Sequence, residues 1–233
     1  MSDQFSVIIP AVIYSSSLSC PVTTEIDGEP LIVKVVAQTK DINANQVIVA
    51  TDHQDIINLC NRFGITAVMT TFTHNTGTDR IVEVVKKLNI KDTIISLKAD
   101  QLLLENKLIE KLVEYLSSHN LPVATIATEI SNLDDLNNNN IVKVVANKNS
   151  MAMYFSRGNI PYCRSGLNID YILKNKQSVN SNFQILRHIG VYAYSNQFIS
   201  NYYNLDRSDI ELLEDLEQLR VLYNGINMGV LVV

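Results

Sequence analysis

The segment Thr73-His74-Asn75-Thr76-Gly77-Thr78-Asp79-Arg80 stands directly ahead of an apolar pattern, Ile81, Val82, Val85 and Leu88, whose spacing predicts an amphipathic helix beginning near Asp79. A helix start exposes unpaired backbone N–H groups and favours anionic or carbonyl-bearing ligands. An ordinary capped loop, with Thr78 as the N-cap, accounts for the same residues. Further on, Ile94-Ile95-Ser96-Leu97-Lys98-Ala99-Asp100 is an apolar strand with an acid at its C-terminal end. Open α/β sheets place their ligands at that edge, which makes Asp100 a candidate magnesium ligand; a helix cap or a solvated turn uses a lone carboxylate equally well. Two later segments, Tyr154 to Pro161 and Leu186 to Tyr194, interleave aromatic and polar groups beyond what a core strand needs. In them an Arg can pair bidentately with a carboxylate, and His188, Tyr192 and Tyr194 can bond hydroxyls, or else serve packing. Glu211, Glu214 and Gln218 follow at spacings of three and four, either a ligand-facing stripe or a solvated helix face.

The elements that must carry these groups alternate β-branched runs with helical patterns, the signature of βαβ units and a largely parallel sheet. Strands are expected over 6–9, 46–50, 67–70, 93–97, 123–128, 142–146, 189–194 and 228–233. Thr51-Asp52-His53-Gln54 reads as a capping box for a helix bearing Ile56, Ile57, Cys60 and Phe63 on one face and stopped by Gly64. Pro30 suits a first helical turn, and Leu108, Ile109, Leu112, Tyr115 and Leu116 form another stripe. Ser208 to Glu211 is a second capping box, ahead of one helix with Leu212, Leu216, Leu219 and Tyr223, closed by Gly225. The Asn- and Asp-rich stretch 132–140 and the polar stretch 174–182 read as loops. The chain is expected to form a single domain over 1–233, with a small lobe over 151–182.

Composition narrows the function classes. A chain of 233 residues with 46% hydrophobic residues can build a sizeable core. A net charge of -5, with no basic run, argues against nucleic acid as a partner, because phosphate neutralisation needs clustered Lys and Arg. Cys20, Cys60 and Cys163 are far apart and odd in number, which supports neither a disulfide framework nor a zinc site and fits a reducing compartment. The chain opens without a cationic leader and contains no apolar run of the roughly 18 residues that span a bilayer. A cytoplasmic protein without membrane insertion is the expectation.

Taken in order, these segments resemble the 3-deoxy-manno-octulosonate (Kdo) cytidylyltransferases, the CMP-Kdo synthetases of lipopolysaccharide synthesis, over nearly the whole chain. The resemblance rests on Ser6 to Ala11, Ile26 to Ile32, Ile48 to His53, His74 to Arg80, Val142 to Val145, Tyr154 to Pro161, His188 to Tyr194 and Leu216 to Arg220. It implies a Rossmann-like three-layer nucleotidyltransferase fold with a mainly parallel central sheet, usually a homodimer, which joins CTP to the anomeric hydroxyl of Kdo and releases pyrophosphate with the help of Mg2+. It also implies roles for individual residues. Ala11, His74, Thr76, Gly77, Thr78 and Arg80 would approach the nucleotide, Asp100 would be the catalytic acid residue that holds magnesium, and Arg157, His188, Tyr192, Glu217 and Gln218 would face the sugar acid.

The triphosphate loop departs from that pattern. From Met1 to Val33 there is no Lys or Arg, and where the family carries two Arg and a Lys this chain has Val12, Ser17 and Pro21. The family's Gln-Gly-Asp-Glu-Pro strand end is Lys98-Ala99-Asp100-Gln101-Leu102, and the chain ends at Val233, ahead of the family's Gly-Val-Asp-Thr-Pro segment with its second magnesium ligand. Each charge-assisted hydrogen bond to phosphate is worth about 1.5 to 3 kcal/mol, so three lost cations remove several decades of affinity or rate. The expectation is a cytidylyltransferase with impaired or lost activity. The alternative is a catalytically dead paralogue that binds a sugar acid or CMP-sugar, or partners an active homologue.

Overall fold

The computed structural model describes residues 4–13, 21–102, 105–162 and 184–233. Ser17, Cys20, Cys163 and the part of the expected lobe beyond residue 162 lie outside these. The chain divides into two compact units, the first formed by residues up to 123 together with 191–204, the second by 124–190 together with 205–233.

In the first unit, strand β1 (Phe5–Pro10) lies between β4 (Gln46–Thr51) and β6 (Thr93–Ser96) and is parallel to both, with Ile8 opposite Ile48 on one side and Ser96 on the other. Val7, Ile8 and Ile9 are all fully buried. Successive side chains of a strand point to opposite faces, so this sheet is covered on both, as parallel sheets require. Strand β5 (Ala67–Met69) extends the parallel set beyond β4. The end of β10 (Leu186–Tyr194) joins β6 in the opposite direction, Tyr192 facing Ser96. The fold is therefore α/β with a mostly parallel central sheet, as expected.

Two helix starts differ from the sequence reading. Thr51 is the last residue of β4, so its hydroxyl accepts from the His53 N–H at 3.2 Å instead of closing a capping box; the N-cap of α2 (Gln54–Arg62) is His53, whose Nδ1 accepts from the Asp55 N–H. In α3 (Gly77–Lys87) the cap is Thr76 rather than Thr78: the Thr76 hydroxyl accepts from the Asp79 N–H at 3.1 Å, while Thr78 is buried inside the first turn. A hairpin absent from the expected strands, β2 (Glu25–Ile26) and β3 (Glu29–Pro30), precedes α1 (Leu31–Ala37). Asp27 and Gly28 both take positive φ, 51° and 82°, the primed turn that an Asp-Gly pair favours. Pro30 sits at the position before the helix, not within its first turn. Helices α4 (Asn106–Ser118) and α6 (Asn196–Asn201), the latter followed by a 3-10 turn over Tyr202–Asn204, complete this unit's helices among the described residues.

The second unit orders its strands β11 (Met228–Val232), β7 (Val123–Glu129), β10, β8 (Lys143–Ala146) and β9 (Ala152–Ser156). Strands β8 and β9 are antiparallel, Val144 opposite Phe155. The Asn-rich stretch contains a short helix, α5 (Leu133–Asn137), capped by Asn132, whose Leu136 packs in a cluster with Ile130 and Ile185. The single helix expected after Ser208 is two, α7 (Asp209–Glu214) and α8 (Leu219–Tyr223), broken where Asp215 turns to a φ of 51°. No described helix is long and apolar enough to cross a membrane.

Candidate functional site

The candidates for nucleotide contact all belong to the first unit. Ala11 follows β1, is fully buried, and donates its N–H to the Ala50 carbonyl at 2.8 Å, so this backbone donor is committed to the sheet. Gly77 opens α3 behind the Thr76 cap, and the helix start offers N–H groups there. The Thr78 hydroxyl lies 3.3 Å from the Tyr194 hydroxyl. Arg80 is only 3% exposed; its guanidinium bonds Asp52 Oδ2 at 2.8 Å, the Thr70 hydroxyl and the Thr71 carbonyl. It ties α3 to the ends of β4 and β5.

His74 meets Glu83, a residue with no sequence-level assignment. Glu83 Oε2 also accepts from the N–H and the hydroxyl of Thr71, at 2.9 and 2.8 Å, and Oε1 pairs with Lys87 at 2.6 Å. Burial works to raise the Glu83 carboxyl, but the Lys87, Thr71 and His74 donors outweigh it and bring it down to about 2. Glu83 is thus held as a carboxylate. From sequence it resembles any acid on the wet flank of an amphipathic helix, because its partners lie 9 and 12 positions away in a loop.

Asp100 sits in the turn after β6, half-buried, and no described residue hydrogen-bonds its carboxylate. Among the described residues no three His, Cys, Asp or Glu side chains converge as a metal cage. A single hard oxygen donor fits a magnesium ion completed by ligand phosphates and water, and does not fit a metal held by protein alone.

The candidates for the sugar acid belong to the second unit, except Tyr192, which lies in the first, buried and stacked on Tyr194 with centroids 5.7 Å apart. His188 Nε2 is 2.9 Å from the Thr125 hydroxyl, and its ring meets the Phe155 ring edge-on. Arg157 directs its guanidinium at carbonyls: Nε to Glu214 at 2.7 Å, Nη2 to Asp215 at 3.2 Å and Nη1 to Asn139 at 3.3 Å. The Glu214 carboxylate accepts from the Arg157 N–H and the Ser156 hydroxyl. Below this lattice Lys143, fully buried, donates to the carbonyls of Asn138, Ile141 and Arg157. Burial pushes its ammonium pKa down, Glu214 opposes that and Arg157 adds to it.

Glu217 and Gln218 occupy the turn between α7 and α8. Gln218 is 4% exposed, and among the described residues its Nε2 has no hydrogen-bond partner. Leaving a buried amide donor unsatisfied costs about 1 to 3 kcal/mol, so the position calls for an acceptor. Glu211, read from spacing as part of the polar stripe, is instead buried against Arg220, which the sequence reading assigned no role of its own.

The chain and its fold are similar to known nucleotide-transferring enzymes. Residues 6–228 match the family model described as "Cytidylyltransferase". A 3-deoxy-manno-octulosonate cytidylyltransferase of Neisseria meningitidis serogroup A is 40% identical over 97% of this chain and 88% of its own length. The 3-deoxy-manno-octulosonate cytidylyltransferase 2 of Actinobacillus pleuropneumoniae is 39% identical over 95% and 87%. The solved structure of a CMP:2-keto-3-deoxy-manno-octonic acid synthetase complexed with CTP superposes with a TM-score of 0.84 and 33% identity, covering 99% of this chain and 90% of the other.

Proposed function

This chain belongs to the cytidylyltransferase family, in its CMP-Kdo synthetase branch, and from that premise we propose that it binds CTP and Kdo or a closely related sugar acid, as a cytoplasmic homodimer, and joins them slowly with release of pyrophosphate. The kinship over nearly the full chain is the observation that carries this reading. Gln218 adds to it: a buried amide lacking an acceptor is suited to a hydroxyl-rich or carboxylate-bearing ligand.

The residues divide the work by type. The start of α3, capped by Thr76, presents backbone donors to the nucleotide. Gln218, Glu217 and His188 orient the sugar acid, so that its anomeric oxygen attacks the α-phosphorus while the bond to pyrophosphate breaks. Asp100 would hold magnesium together with the triphosphate, and the ion would supply charge neutralisation at the phosphate oxygens. Val12 and Pro21 stand where the family carries cations, and Pro21 has no N–H to offer. Phosphoryl transfer depends chiefly on electrostatic stabilisation and positioning, so the rate is low.

A specific observation favours the binding-module alternative. Arg80 and Arg157, the cations among the candidates, are both engaged with the protein's own oxygens. Titration calorimetry with CTP and magnesium, and separately with Kdo, beside a pyrophosphate-release assay decides between them. Binding with slow turnover supports the enzyme; binding of the sugar acid without turnover supports the module; binding of neither defeats both.

A further inference from the structure

The structure assigns Glu83 as a positioning residue for the nucleotide: it holds the loop from Thr71 to Thr76 in the shape that presents the start of α3. The inference rests on the reading that His74 to Arg80 meet CTP, and deepens it. Thr71 is gripped at both backbone poles by one helix, its N–H by Glu83 Oε2 at 2.9 Å and its carbonyl by Arg80 Nη1 at 3.4 Å. His74, three residues on, returns to the same Glu83 oxygen. Between them Phe72 is 82% exposed and Thr73 is exposed, so no packing of these residues fixes the loop. Its shape depends on the carboxylate at one end and the Thr76 cap at the other. The two Glu83 oxygens also have separate partners, Oε2 for the loop and Oε1 for Lys87. Removing the carboxylate lets the loop sample other shapes, and the apparent affinity for a ligand falls by the fraction that stays competent.

The test is CTP affinity by titration calorimetry on the whole chain with magnesium present, with Kdo affinity and the melting temperature measured on the same samples. Glu83→Ala weakens CTP about tenfold, the scale of two or three hydrogen bonds of modest net worth. Glu83→Gln, whose carbonyl oxygen still accepts from the loop, recovers most of that loss. Lys87→Met removes the pair with Oε1 and the bond from Lys87 to the Met69 carbonyl but none of the Oε2 bonds to the loop, and leaves CTP within about twofold. Kdo affinity is unchanged throughout, which a general loss of structure would not allow. Should Glu83→Ala fail to fold, Thr71→Val deletes one loop donor and leaves the helix intact, with CTP weakened about threefold. CTP bound equally by wild type and the variants overturns the positioning role alone, as does parallel loss of CTP and Kdo. No CTP binding by the wild type overturns the nucleotide reading and this role with it.

Discussion

Arg220 and Glu211 meet as a buried bidentate pair, Nε 2.9 Å from Oε2 and Nη2 2.5 Å from Oε1, with neither side chain more than 4% exposed. They flank the break at Asp215, and Arg157 grips the same break through the carbonyls of 214 and 215. The turn with Glu217 and Gln218 is thereby clamped on both sides, which is how an amide can remain buried without an internal partner.

Removing one member of that pair takes from a buried charge its bidentate partner, although Glu211 keeps Arg207 at 3.6 Å, and costs up to about 3 to 5 kcal/mol. Glu211→Gln and Arg220→Met each lower the melting temperature by roughly 10 °C in calorimetry. The double change Glu211→Leu with Arg220→Met recovers much of the loss, because both buried charges are gone and the remaining Arg207 is solvent-exposed. Additive losses in the double variant would refute the coupling.

Acid should weaken the first unit through Glu83. Its folded pKa of about 2 lies below the ordinary 4.5, so its contribution is complete above about pH 4.5 and is lost as pH falls toward 2. At about 1.4 kcal/mol per unit, less solvent screening, the change amounts to about 2 to 3 kcal/mol. Urea midpoints between pH 6 and 2.5 fall more steeply for the wild type than for Glu83→Gln. Parallel curves would refute this.

If missing cations limit turnover, restoring one should raise it. Val12→Arg increases pyrophosphate release about tenfold or more, since one charge-assisted bond to phosphate is worth about 1.5 to 3 kcal/mol. An unchanged rate would place the limitation elsewhere.

Asp100→Asn tests the metal. Turnover at saturating CTP drops on the order of a hundredfold, comparable to the loss of one preorganised charge stabiliser, while calorimetric binding of Kdo is retained. Equal loss of Kdo binding would show that Asp100 acts on structure.

The sheet was legible because β-branched runs such as Val47-Ile48-Val49 record burial on both faces in their own composition. Local capping was legible at Ser208 and displaced by two residues at Thr78, where Thr76 and Thr78 offer the same hydroxyl and only the backbone path selects between them. The split at Asp215 was hidden because leucines continue the helical period straight through it, with Leu212 left exposed and Leu216 buried. Strand β9 is masked in the sequence by its mixture of aromatic and polar groups, because it pairs as an edge with β8 and lacks the continuous apolar run of a central strand. In the candidate site, the family resemblance pointed to Arg80, and residue type together with that resemblance to Arg157, as ligand-facing residues. Their actual partners, Asp52 and the carbonyls of 214 and 215, lie 28 and more than 50 positions away, beyond any local pattern.

Lys143 gives the second unit an internal clock. Its amine is wholly enclosed and saturated by three carbonyls, so it can react with an acylating reagent only during moments when that enclosure opens. The labelling rate of this one lysine, set against those of exposed lysines such as Lys98, therefore counts openings of the cage that Asn138, Ile141 and Arg157 form around it, without any probe being added to the chain.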